Sequence, residues 1–108
     1  MAKTEGYSRG YFRVRRQLGG GPLGTVEIRV RAKAAAQVAL RANTSVESRN
    51  QLWRKAEASE FRLTSIASRL ASRGKAESAR RYWRQAAGAK AFRNEIERVN
   101  GRPYWVAR

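Results

Sequence analysis

In 108 residues this chain carries 24 Lys and Arg, 19 of them Arg, against eight acids that are all Glu, for a net charge of +16. It contains no His, Cys or Asp, which excludes disulfides, thiolate chemistry, imidazole bases and the usual metal-ligand sets. An enzyme is not expected, and no cofactor, metal or small-molecule substrate is implied. A charge this far from zero repels itself and makes most sense beside a polyanion, where Arg forks onto phosphate oxygens better than Lys does.

One domain, residues 1–108, is expected at this length. Leu, Ile, Val and Phe together number only 19, while 18 residues are Ala, so the core is expected to be thin. Three Trp, four Tyr and three Phe supply much of its area. No apolar run approaches the roughly 18 residues of a membrane helix, and no signal-peptide hydrophobic region follows the start. Glu5, Gly6 and Gly10 argue against an amphipathic organellar presequence. The expected location is intracellular (cytoplasm or nucleoid) or virion, with no membrane partner.

Taken in chain order, the elements predict an α+β fold. Residues 1–10 mix Gly, Ser, Tyr and Arg without period and are expected to form a flexible basic arm. Residues 11–18 alternate, with Phe12, Val14 and Leu18 on one face and Arg13 and Arg15 on the other; Arg16 breaks the apolar face. Residues 25–31 alternate more cleanly, Val26, Ile28 and Val30 opposing Glu27, Arg29 and Arg31. Period two with β-branched residues predicts strands, and GGGPLG at 19–24 joins them into an antiparallel β-hairpin over 11–31.

From Lys33 the composition turns helical, giving a short helix over 33–42. Thr44 with Glu47 fits a capping box and opens a long helix over 44–73, on which Val46, Trp53, Ala56, Leu63, Ala67 and Leu70 form one stripe beside Ile66. Gly74 is the expected stop. A further helix over 76–99 carries Ala79, Trp83, Ala86, Phe92, Ile96 and Val99 inward. The short connection makes the two long helices an antiparallel hairpin, with 86–89 (AAGA) allowing close backbone approach between them. Residues 100–108 form an aromatic tail that docks on the body.

Two groups of bases form the candidate nucleic-acid site. Arg13, Arg15, Arg29 and Arg31 share the outer face of the predicted hairpin, and such a ribbon fits the DNA major groove or lies on RNA. Arg69, Arg73, Lys75, Arg80, Arg81 and Arg84 concentrate charge at the tip of the helical hairpin, as expected for contacts to phosphate. Tyr7 and Tyr11 are candidates for stacking on unpaired bases. Trp53 and Trp83, at helical spacing, are assigned to the core. GGGPLG lacks the Lys-Ser/Thr ending of a phosphate-binding loop and is expected to be a mobile tip.

A strand over 25–31, a short helix over 33–42 and a capped second helix from Thr44 follow one another as in ribbon-helix-helix DNA-binding proteins, which this order resembles. The resemblance implies a strand pair in the major groove, with Arg29 and Arg31 at base-contacting positions. The chain departs from that pattern in three respects. It has its own partner strand at 11–18, its second helix is far longer, and Asn50 falls where an apolar contact is wanted. Membership is not inferred.

The expected function is nucleic-acid binding without catalysis, duplex DNA ahead of structured RNA, through Arg-rich strand and helix faces. The alternative is a structural component of a larger assembly, a phage or virion particle or a ribonucleoprotein such as a ribosome. Its basic surface would there face packaged nucleic acid or an acidic neighbouring subunit. A homo-oligomer fits either, and a basic adaptor that inhibits an acidic host protein is a third reading.

Overall fold

The computed structural model describes residues 2–21 and 23–106, with side chains from Gly10 onward. Four helices follow one another: α1 (Ala2–Gln17), α2 (Val26–Ala42), α3 (Val46–Ser72) and α4 (Ala76–Asn100). Among the described residues there is no strand, so the fold is all-helical rather than α+β. The β-hairpin predicted over 11–31 is replaced by the second half of α1, a loop and the start of α2. The predicted arm over 1–10 likewise belongs to α1, except for Met1, which lies outside the described residues.

The strands fail for a physical reason that is local to each segment. Thr25 caps α2, its Oγ1 accepting the Ile28 N–H at 3.2 Å, and Glu27 complements the positive end of the helix dipole. Once nucleated, the helix extends into the Ala-rich run at one hydrogen bond per residue, whereas a lone two-stranded ribbon is marginal in water. The face buried is Ile28, Ala32, Ala36, Ala39 and Leu40, spaced by threes and fours. Val26 and Val30, turned inward by the strand pattern, are instead exposed. The alternation was a by-product of helical spacing.

The same holds for α1. Gly10 and Val14 are buried and Tyr11 and Leu18 half-buried, a helical stripe, while Phe12 is exposed. Its end is a Schellman motif: the Gly20 N–H donates to the Arg15 carbonyl at 2.7 Å and the Gly19 N–H to the Arg16 carbonyl at 3.2 Å. Gly19, at φ +93°, takes the left-handed position this requires. With the strand gone, the order that resembles ribbon-helix-helix proteins is gone too.

α3 ends in the same motif, Lys75 N–H to the Leu70 carbonyl at 2.9 Å and Gly74 N–H to the Ala71 carbonyl at 3.1 Å. The chain therefore reverses at Gly74 and α4 packs along α3 as its principal partner. The cap that opens α3 is Ser45 rather than Thr44, its Oγ accepting the Ser48 N–H at 3.1 Å.

α4 is the shared strut, touched by all three other helices. Towards the hairpin tip, α1 closes a cluster of Val14, Leu23, Ala67, Ala71, Ala79 and Trp83. Towards the open end, α2 closes a second cluster of Ala36, Leu40, Trp53 and Ile96. The small residues of α4 serve α2 and the loop before it, not only α3. Gly88 lies under Ile28, and Ala87 lies against Gly24. Val46 and Val99, expected inward, are exposed. The molecule measures 44 × 30 × 18 Å, and among the described residues Trp53 and Trp83 are the largest side chains of its buried core.

Candidate nucleic-acid interface

The two groups of predicted site residues do not remain groups. Arg29 and Arg31 lie on α2, while Arg13 and Arg15 lie on α1, so no sheet face gathers the four. Two residues apart on a helix means about 200° apart around it, so each pair also diverges. Arg31 is paired with Glu27 at 2.6 Å on the solvent side of α2, and Arg29 is exposed. Arg15 sits over the Phe12 ring at 5.7 Å, and Arg13 is exposed.

What the fold does bring together is α1 and the hairpin tip. Val14 packs with Ala67, Ala71, Ala79 and Trp83, placing Arg13 and Arg15 at the same end of the molecule as Arg69, Arg73, Lys75, Arg80, Arg81 and Arg84. Arg16 joins them from the outer side of α1. Its signal was legible: Arg16 stands three residues from Arg13, hence on one helical face, although it looked like a defect in a strand. Over residues 10–24 and 65–87 there are nine bases and one acid, Glu77.

Away from the tip four acids are in ion pairs, Glu27 with Arg31, Glu60 with Arg93 at 3.0 Å, Glu95 with Arg98 at 2.7 Å and Glu97 with Arg102 at 3.3 Å. Glu47 and Glu57 are exposed there, as are bases such as Arg29, Lys33 and Arg62. At the tip, among the described residues, Glu77 with Arg80 at 3.2 Å is the one ion pair. Arg13, Arg16, Arg69, Arg73, Lys75 and Arg81 are exposed and have no acidic partner among the described residues. The Nε atoms of Arg80 and Arg84 are buried without a hydrogen-bond partner. A cluster of unneutralised guanidinium groups on one end attracts anions in general and, with its forked donors, phosphate in particular.

Several bases have structural work instead. Arg49 donates from Nε to the Asn43 carbonyl at 2.6 Å and from Nη2 to the Leu40 carbonyl at 3.0 Å, closing the carbonyl end of α2. Arg98 clamps the buried Glu95 through two hydrogen bonds, and Gln37 adds a third at 3.1 Å. The Arg98 bonds first, with Gln37 adding to them against burial, hold the Glu95 carboxyl down at about 2. Burial pushes Glu60 the other way, upward, against the opposing charges of Arg93 and Lys90.

The aromatic candidates divide. Tyr11 is half-buried, edge-on to Trp83 with ring centres 5.5 Å apart, and its hydroxyl accepts the Leu23 N–H at 3.1 Å. The Tyr7 side chain lies outside the described residues. Trp53 and Trp83 are buried. In the tail, Val106 packs on the α2–α4 cluster and Arg54 lies over the Trp105 ring at 5.8 Å, leaving Tyr104 exposed. An open groove of about 350 Å³ between α2 and α3, floored by Gly88, Ala89 and Phe92, has Lys55 as its one titratable lining side chain. Among the described residues no helix is long and apolar enough to cross a membrane.

No protein-family model matches this chain, and no curated protein or solved structure shows significant similarity to it.

Proposed function

We propose that this chain is a non-enzymatic nucleic-acid-binding protein that grips the phosphate backbone with the end formed by the α3–α4 tip and α1. One observation carries this: nine bases face a single acid over that end, and six of them are exposed without an acidic partner among the described residues. Phosphates supply the missing counter-charge, and neutralising them releases condensed counterions, the main favourable term in such binding. The ligand is a duplex, DNA first and structured RNA second, because a rigid helical tip enters a groove and the stacking candidate Tyr11 is half-buried against Trp83.

Anisotropy of a labelled 20-bp duplex, titrated at several salt concentrations, tests the proposal. Log affinity is expected to fall linearly with log salt, and the variant Arg69→Ala/Arg73→Ala/Lys75→Ala/Arg81→Ala lowers the slope by about one per contact removed. A control with the same charge loss elsewhere, Lys33→Ala/Lys55→Ala/Arg62→Ala/Lys90→Ala, leaves the slope closer to that of the parent. Equal losses in both variants would reduce the tip to a share of net charge. Absence of binding at low salt removes nucleic acid as the ligand and favours an acidic protein neighbour in an assembly.

A further inference from the structure

α2 turns one side to α4, and the middle of its opposite side carries Val30, Ala34 and Val38, where a solvent-facing helix is ordinarily polar. Val30 is 61% and Val38 57% exposed, with Ala34 exposed between them and Val26 exposed ahead. β-branched residues are poor choices for an exposed helix position, and among the described residues these valines stay more than half exposed. Positions 27, 34 and 41 recur every seven residues with Val30 and Val38 between, so they form one seam along α2. Drift of about 20° per heptad leaves that seam intact over two heptads. Its ends carry opposite charges, Glu27 and Arg41, each seven residues from Ala34.

We propose that this seam is a self-association surface on which the α2 helix of a second copy docks antiparallel, about a two-fold axis at Ala34. Charge complementarity selects both the occupant and its direction. A parallel copy would set Glu27 against Glu27 and Arg41 against Arg41. The antiparallel copy sets Glu27 opposite Arg41 of the partner subunit, at both ends, because an isologous contact occurs twice. Val30 then lies beside Val38 of the partner subunit, and the small Ala34 at the axis lets the helices approach closely. Glu27, already bonded to Arg31, becomes an acid shared by two bases.

The dimer is weak. One helical seam buries less than the roughly 1,200 Å² of a standard interface, and two highly charged chains repel, so the dissociation constant is on the order of 100 µM. Salt screens the Glu27–Arg41 attraction as well, but the repulsion between two chains of net charge +16 is the larger effect and apolar burial is not screened, so association tightens as salt rises. Phosphate binding has the opposite dependence, and the two surfaces are separable by that sign alone.

Sedimentation equilibrium on the nuclease-treated full chain, from about 10 µM to about 1 mM, tests the seam. The mass is expected to climb from 12.2 kDa towards twice that value, further at high salt. Glu27→Arg and Arg41→Glu each weaken association about tenfold, and the double variant restores it. Ala34→Glu abolishes it with helicity by circular dichroism unchanged. Should Glu27→Arg lower helicity, since it opens α2, Val30→Gln/Val38→Gln provides the same loss from exposed positions. A constant 12.2 kDa, a double variant no tighter than the singles, or undiminished association in the Ala34 or valine variants overturns the proposal.

Discussion

A methyl group on Gly24 would stand 2.6 Å from the Cβ of Ala87, closer than two carbons can approach, so the loop before α2 rests on α4 at backbone distance. This contact sets where α2 begins along the strut, and with it the pairing of Ile28 over Gly88. Gly24→Ala is expected to lower stability by about 1–3 kcal/mol through overpacking. Adding Ala87→Gly relieves the clash but gives back about 1 kcal/mol of helix propensity, so the double variant recovers only part of the loss in a thermal melt.

Gly10 behaves in the opposite way. A Cβ there would lie 3.5 Å from Trp83 Cη2 and 3.6 Å from the Ala71 Cβ, ordinary contact distances, and the residue is inside a helix. Gly10→Ala therefore stabilises by about 0.5–1 kcal/mol, raising the thermal midpoint. A drop instead would mean that α1 sits closer to the tip than described.

Arg49 separates structural charge from binding charge. Truncating it to Ala frees the Asn43 and Leu40 carbonyls from their donors, and the expected loss is about 1–2 kcal/mol in denaturant melts. The salt slope of duplex binding stays unchanged at the same time.

Glu95 makes stability depend on acid. Its carboxyl titrates at about 2 when folded, against 4.5 ordinarily, chiefly through the Arg98 hydrogen bonds. A lowered folded value means the contribution is fully present above about 4.5 and lost as the pH falls towards about 2. Glu95→Gln is expected to melt lower than the parent at pH 7 and to converge with it near pH 2. Parallel curves over that window would show that the clamp carries no such stability.

The hairpin was readable because its signals are local. Gly74 after an apolar stripe, Trp53 and Trp83 at helical spacing, and a three-residue connection leave an antiparallel pair little alternative. The tip bases Arg69 to Arg84 were readable for the same reason, since they ride on those helices. The N-terminal third was not. Val26, Ile28 and Val30 satisfy a period of two, and Ile28, Ala32 and Ala36 satisfy 3.6, so hydrophobicity alone could not choose. Gly19 as a helix stop and Thr25 as a helix start were the overlooked cues.

By itself the sequence determined the excess of bases, the absence of His, Cys and Asp and the two long helices, all properties of composition or of neighbours along the chain. Only the tertiary structure decided that α1 carries Arg13, Arg15 and Arg16 to the hairpin tip. It also decided that Asn50 is matched by Asn100 at 3.0 Å, and that Val30 and Val38 face outward. Each of those depends on which surface of α4 a distant segment covers, and such contacts are selected by shape and burial between elements rather than by any residue's immediate neighbours.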